Sequence, residues 1–310
     1  MRKIIVSIIS VALILGLCSC GKAPSTPAEQ SMDAFKAFLK NKQELVVAND
    51  SEYFTAGESF RYKEFKKAFL EYVHRYDDDS FAVDSCDISY AYIDCGADGI
   101  PELVLQFDTG VSADPASYGT YDFVINCKDG ALSLVQEYES FYRHNTFLYN
   151  SGIVEYYASD GLFMYENNFR YINGDGTESF LYSADCSEGD FMFLNSGMLP
   201  EGFASEGYFT EPASDQGYTL YVCKDYCFTD DDLAYGSDEY KENHIFTISS
   251  FGDAQIGTPE EYASFYEDYG IRIVTEDEAA EIVRKHCESL GMNADMQKKE
   301  EITFTKFDSE

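Results

Sequence analysis

Tryptophan is absent from this chain of 310 residues, histidine occurs four times, and 22 lysines and arginines stand against 56 acids. The shortage of positive charge leaves a formal net charge of −34. A field of that sign repels phosphates and anionic headgroups, which excludes nucleic acid as a partner and charge as the means of holding the protein to a membrane. Missing motifs exclude several enzyme classes: there is no Gly-x-Ser-x-Gly elbow, no HExxH and no phosphate loop of the Walker type. His74, His144, His244 and His286 lie far apart in sequence. His286 adjoins Cys287, but neighbours on a helix point about 100° apart and do not form a ready nucleophile and base. Without tryptophan the aromatic content rests on 25 tyrosines and 24 phenylalanines, which read first as cross-strand and core pairs. No internal repeat of fixed period is present.

What the chain does have is a leader-like start. Arg2 and Lys3 precede an apolar run from Ile4 to Leu17, followed by Cys18, Ser19, Cys20 and Gly21. At the helical rise that run spans about 21 Å, short of the roughly 30 Å hydrocarbon core, so it reads as a secretory signal and not as a retained span. The residues before Cys20 resemble the bacterial lipobox, a hydrophobic residue three places ahead and a small one immediately ahead, with Cys18 as a small departure. The resemblance implies cleavage before Cys20, a diacylglyceryl group on its sulfur, and a lipid bilayer as the partner of the acylated residue. Loss of Arg2 and Lys3 would make the mature chain more acidic still.

Of the nine cysteines, processing would leave Cys86, Cys95, Cys127, Cys186, Cys223, Cys227 and Cys287. An odd number cannot all pair, and the spacings match neither a disulfide framework nor a zinc site. They read as free cysteines, with Cys86 and Cys95 the pair to test first for a bridge.

Periodicity predicts an α+β protein with N-terminal helices, a central antiparallel β-meander and C-terminal helices. Residues 1–19 form the signal peptide and 20–31 the lipidated cysteine with a proline-containing tether. A single extracytoplasmic domain then covers 32–310, helical over 32–76, β-rich over 87–250 and helical over 258–291. Phe35, Phe38, Leu39 and Leu45 suggest a helix over 32–47, and Phe65, Phe69, Leu70 and Val73 a second over 62–76. Turn signals such as Asp129-Gly130, Ser151-Gly152 and Asp160-Gly161 separate aromatic and β-branched runs. Thr258 with Glu261 and Thr275 with Glu278 are capping boxes. The run Asp77, Asp78, Asp79 reads as a solvated loop.

The stretch with the most chemistry is Ser89 to Phe107, SYAYIDCGADGIPELVLQF, which reads as strand, acidic loop, strand. Asp94, Asp98 and Glu102, with Gly99, resemble calcium loops of the Asp-x-Asp-x-Asp-Gly type. Hard cations want six to eight oxygens, alternate positions of a tight loop point inward together, and glycine permits the turn. Gly96 stands where that pattern has a carboxylate, and the loop is shorter than the helix-flanked twelve-residue hand. Such a site belongs to a weak class, roughly 10⁻⁴ to 10⁻³ M or weaker. The competing reading is a plain hairpin turn at Asp98 and Gly99. Asn173 to Glu178 is a second candidate loop that reads first as a hairpin.

Lipobox, tether and the phrase YAYIDCGADGIPELVLQF resemble a group of clostridial-type surface lipoproteins whose comparable phrase is D-x-D-G-D-G-x-x-E-L. Asp94, Asp98, Gly99, Glu102 and Leu103 carry the motif match. The resemblance implies address and loop type and brings no activity with it. The expectation is therefore a membrane-anchored extracytoplasmic lipoprotein with a binding or structural role and Ca2+ as the candidate cofactor at residues 94–102. The alternative is a surface hydrolase acting on polysaccharide or peptidoglycan through paired carboxylates, which 56 acids make available without singling any out.

Overall fold

The computed structural model describes residues 25–76, 86–109, 119–141, 143–159, 164–188, 220–233, 237–251 and 272–307. The lipobox with Cys20, the run Asp77 to Asp79 and the capping box at Thr258 lie outside the described residues.

Among the described residues the architecture is one 13-stranded, largely antiparallel sheet. The α+β expectation with helical regions at both ends is thereby overturned. The first helix, α1, runs Pro27–Leu39, not 32–47. Thr26 caps it in a reciprocal box with Glu29, and Pro27 sits in the first turn, so the helix begins inside the expected tether. It stops at Leu39 because Glu44–Val47 is strand β1, whose alternating burial matches a two-residue period. Leu45 continues the helical spacing in sequence, yet it is buried on a strand. β2 (Ser59–Arg61) leads directly into α2 (Tyr62–Tyr76).

From β3 (Asp87–Ile93) the strands pair in chain order: β4 (Glu102–Asp108), β5 (Gly119–Lys128), β6 (Ala131–Phe141), β7 (His144–Leu148), β8 (Ile153–Ser159), β9 (Met164–Ile172) and β10 (Glu178–Glu188). β11 (Leu220–Cys227) and β12 (His244–Phe251) continue that edge, with the short helix α3 (Asp238–Asn243) between them. α4 (Glu276–Ser289) and β13 (Thr305–Lys306) follow, and β13 closes the opposite edge on β3. β1 pairs parallel with one end of β6.

Alternation sends the two faces of the sheet into different cores. Leu103, Leu105 and Phe107 of β4 and Phe123 and Ile125 of β5 meet Phe35 and Phe38 of α1 and Phe65 and Phe69 of α2. Phe123 lies within 4.9–5.5 Å, centroid to centroid, of Phe65, Phe69 and Phe107. Each such fully buried ring contributes roughly 1.5–3 kcal/mol. On the opposite face Val104 and Val124 pack with Val154 of β8 and Ile172 of β9, so the sheet folds over on itself. The outer face of β8 to β10, with Ile153, Phe169 and Leu181, takes Cys287 and Met292 from α4 and its sequel.

A register shift between Val124 and Ile125 of β5, opposite Gln136 and Leu134 of β6, leaves Val135 as an extra residue. The bulge puts Leu132 and Leu134 in the helix-covered core and Tyr138 in the folded-over core.

Cys86 and Cys95 are both free. They sit at opposite ends of the seven-residue strand β3, about 23 Å at the strand rise, far beyond bridging distance.

Candidate functional site

The acidic loop leaves β3 at Asp94, makes a short 3-10 turn over Cys95–Ala97 and enters β4 at Glu102. Its carboxylates are used locally. Asp94 Oδ1 accepts the Gly99 amide at 3.1 Å, and Asp98 Oδ1 accepts the Ile100 amide at 2.7 Å. Glu102 is turned into the core, 3% exposed, where Oε2 accepts the Cys95 amide at 2.7 Å. Burial pushes the Glu102 carboxyl up to about 8; the bonds from Cys95 lower it, and the charges of Asp98 and Asp94 raise it. Burial likewise holds the Cys95 thiol well above its ordinary value, with Glu102 adding to the effect. Among the described residues no group of three or more His, Cys, Asp or Glu side chains is placed to hold a metal ion. A cation at this rim would draw on the second oxygens of Asp94 and Asp98.

Three other segments converge on the loop. The Gly96 amide donates to Tyr171 Oη of β9 at 2.7 Å, and the Asp94 amide donates to the Asn150 carbonyl at 3.2 Å. The Asn150 amide in turn donates to the Glu300 carbonyl, and Ser151 Oγ donates to the Lys298 carbonyl. Asn173 to Glu178, the second candidate loop, is a hairpin turn pressed against the first. The Gly176 amide closes it on the Asn173 carbonyl at 2.8 Å, and Asp175 Oδ1 accepts both the amide and the hydroxyl of Thr177. This contact explains Gly96. Its φ is +84°, and a Cβ there would lie 3.0 Å from the Gly174 nitrogen and 3.2 Å from its Cα, so the carboxylate of the calcium pattern has no room. The cavity beside the loop, lined in part by Asp94, Asn150, Asp295 and Lys298, holds about 180 Å³. That is below the roughly 300–1,000 Å³ of small-molecule sites.

A second constellation was not foreseen. Cys227, the last residue of β11, pairs directly with His244, the first of β12. Asp225, two residues before Cys227 and on the same face, places Oδ1 2.8 Å from His244 Nδ1. The Cys227 side chain lies beside the ring through the strand register, and its Sγ donates to the Thr229 carbonyl at 3.3 Å. Tyr240 of α3 stacks on the ring, centroids 3.7 Å apart and planes 16° apart. Burial alone would lower the His244 pKa, but the hydrogen bonds and charges of Asp225 and Cys227 outweigh it and push it up to about 9. The imidazole is therefore held as imidazolium at neutral pH. No spacing signal marks this trio, because strand register brings it together across a long connection.

Comparison with family models, with curated proteins and with solved structures returns no match.

Proposed function

We propose that the chain is an extracytoplasmic lipoprotein, held to the outer face of a bilayer through acylated Cys20, whose folded sheet serves as a rigid binding or structural body. The loop at Asp94–Glu102 is the brace of that body. The observation that supports the brace is convergence: one loop bonds to the turn at Asn150, to Tyr171 and to its own Glu102, and packs against Gly174. The anchor rests on the order of Arg2, Lys3, the apolar run and Cys20, since two acyl chains hold a protein to a bilayer where one is marginal. Among the described residues no helix is long and apolar enough to cross a membrane.

Calcium is the ion such a rim would take. With two free carboxylate oxygens where six to eight ligands are wanted, its occupancy falls in the millimolar class or weaker. The tests separate the two halves of the reading. Mass spectrometry of the N-terminal peptide from native membranes should show diacylglyceryl on Cys20, and Cys20→Ala should move the protein to the soluble fraction. A bare Cys20 in the membrane-bound protein would refute the anchor. Adding about 1 mM calcium should stabilise the folded body by less than about 1 kcal/mol; a larger shift that Asp98→Ala removes would show a true metal site.

A further inference from the structure

We propose that Cys227, His244 and Asp225 form a nucleophilic acyl-transfer site that hydrolyses neutral or cationic esters and amides through a Cys227 thioester. A thiol is activated when a base lies within hydrogen-bond reach and a third group orients that base. Each element is present. Cys227 and His244 are the directly opposed pair that closes the β11–β12 hairpin, and Asp225 holds Nδ1 at 2.8 Å. That leaves Nε2 as the nitrogen available to the thiol. Tyr240 fixes the plane of the ring.

All three side chains are partly exposed, His244 by 11% and Asp225 by 17%, and Cys227 is free of any disulfide and partly buried, its Sγ donating to the Thr229 carbonyl at 3.3 Å. A structural ion pair needs only the histidine and the aspartate, and the thiol on the same ring is the part such a role does not explain. Asp185 of β10 pairs in register with Asp225 and feels the charges of Asp225, Glu166 and His244. The groups facing the imidazole are thus Asp225, Cys227, Asp185 and Tyr240, three of them carboxylates or a thiol. That surround repels an anionic acyl group, which restricts the substrate to neutral or cationic donors.

In the first step Cys227 attacks the carbonyl carbon as the thiolate paired with the His244 imidazolium; the C–S bond forms and the π pair moves to oxygen. Collapse restores the carbonyl and breaks the bond to the leaving group, which takes a proton from the His244 imidazolium. Water then attacks the thioester, the now neutral His244 accepts its proton, and the carboxylic acid departs as the Cys227 thiolate is expelled, which regenerates the thiolate–imidazolium pair.

The full chain treated with p-nitrophenyl acetate tests this, with acetyl groups mapped by peptide mass spectrometry. Cys227 should acetylate at least about tenfold faster than Cys86 and Cys127, which are also half-buried and free, and p-nitrophenolate release should continue after the first equivalent. Cys227→Ala should abolish the turnover, and His244→Gln should slow acylation by about 10²-fold or more. Acetylation spread evenly over the three thiols, or a folded His244→Gln protein that reacts at the parent rate, overturns the proposal. If His244→Gln does not fold, the ratio among thiols in the unaltered chain decides.

Discussion

Gly96 shows how a single atom sets what a loop can be. The calcium-loop pattern wants a carboxylate at this position, but the turn at Gly174 occupies the space and the backbone has a left-handed φ of +84°. Gly96→Asp restores the motif on paper and should destabilise the protein by about 2–3 kcal/mol, since the obstacle is backbone and cannot swing aside. Thermal melting reads it directly, and calcium should not recover the loss. A Gly96→Asp protein that melts at the parent temperature would mean that the two loops are not in contact. Gly176 obeys the same rule against the bulged Val135, whose Cγ1 would stand 2.7 Å from an added Cβ.

Among the elements, those stabilised by their own neighbours were legible and those made by distant pairing were not. The stripe of Phe65, Phe69, Leu70 and Val73 located α2 (Tyr62–Tyr76), and Thr275 with Glu278 located the start of α4. Local alternation marked the strands flanking the acidic loop. β1 is not legible in the sequence because four residues, ELVV, are too few to separate a strand period from a helical one, and its partner β6 lies far along the chain. The bulge at Val135, the folding-over of the sheet and the meeting of Cys227 with His244 are products of register, which no local spacing encodes. The local signals remain quantitative. Thr275 Oγ1 accepts the Glu278 amide at 3.2 Å, and a Glu278 carboxylate oxygen accepts the Thr275 amide at 2.9 Å. Thr275→Ala should therefore cost about 1 kcal/mol, seen in denaturant unfolding and as faster amide exchange in the first turn of α4. Unchanged exchange there would mean that packing of Cys287 and the bond between His286 Nε2 and the Leu181 carbonyl hold the helix without its cap.

At the scale of the whole molecule, buried acids tie stability to pH. Burial pushes Glu102 up to about 8, Asp122 and Glu137 up to about 7, and Asp185 up to about 6. In the unfolded chain these groups ionise near the ordinary carboxylate values of about 4. Between about pH 4.5 and pH 8 the unfolded chain therefore sheds protons that the folded chain keeps, and stability falls as pH rises. His244 acts in the same direction: its contribution is complete below about pH 6.5 and is lost as pH climbs through about 9. The surface acids whose values are lowered, among them Glu281 and Asp295, are fully exposed and screened by solvent, so they do not reverse the trend. Repulsion within a chain of net charge −34 grows with each further ionisation. The melting temperature should accordingly be highest near about pH 4.5 and fall by roughly 10 °C by about pH 8.5, a loss of a few kcal/mol. Glu102→Gln keeps an oxygen for the Cys95 amide and removes the group that titrates, so it should match the parent at about pH 4.5 and melt several degrees higher at about pH 8.5. A melting temperature that rises across this range would show these carboxyls ionising freely in the folded protein, and with them the packing of the acidic loop against the folded-over core would have to be redrawn.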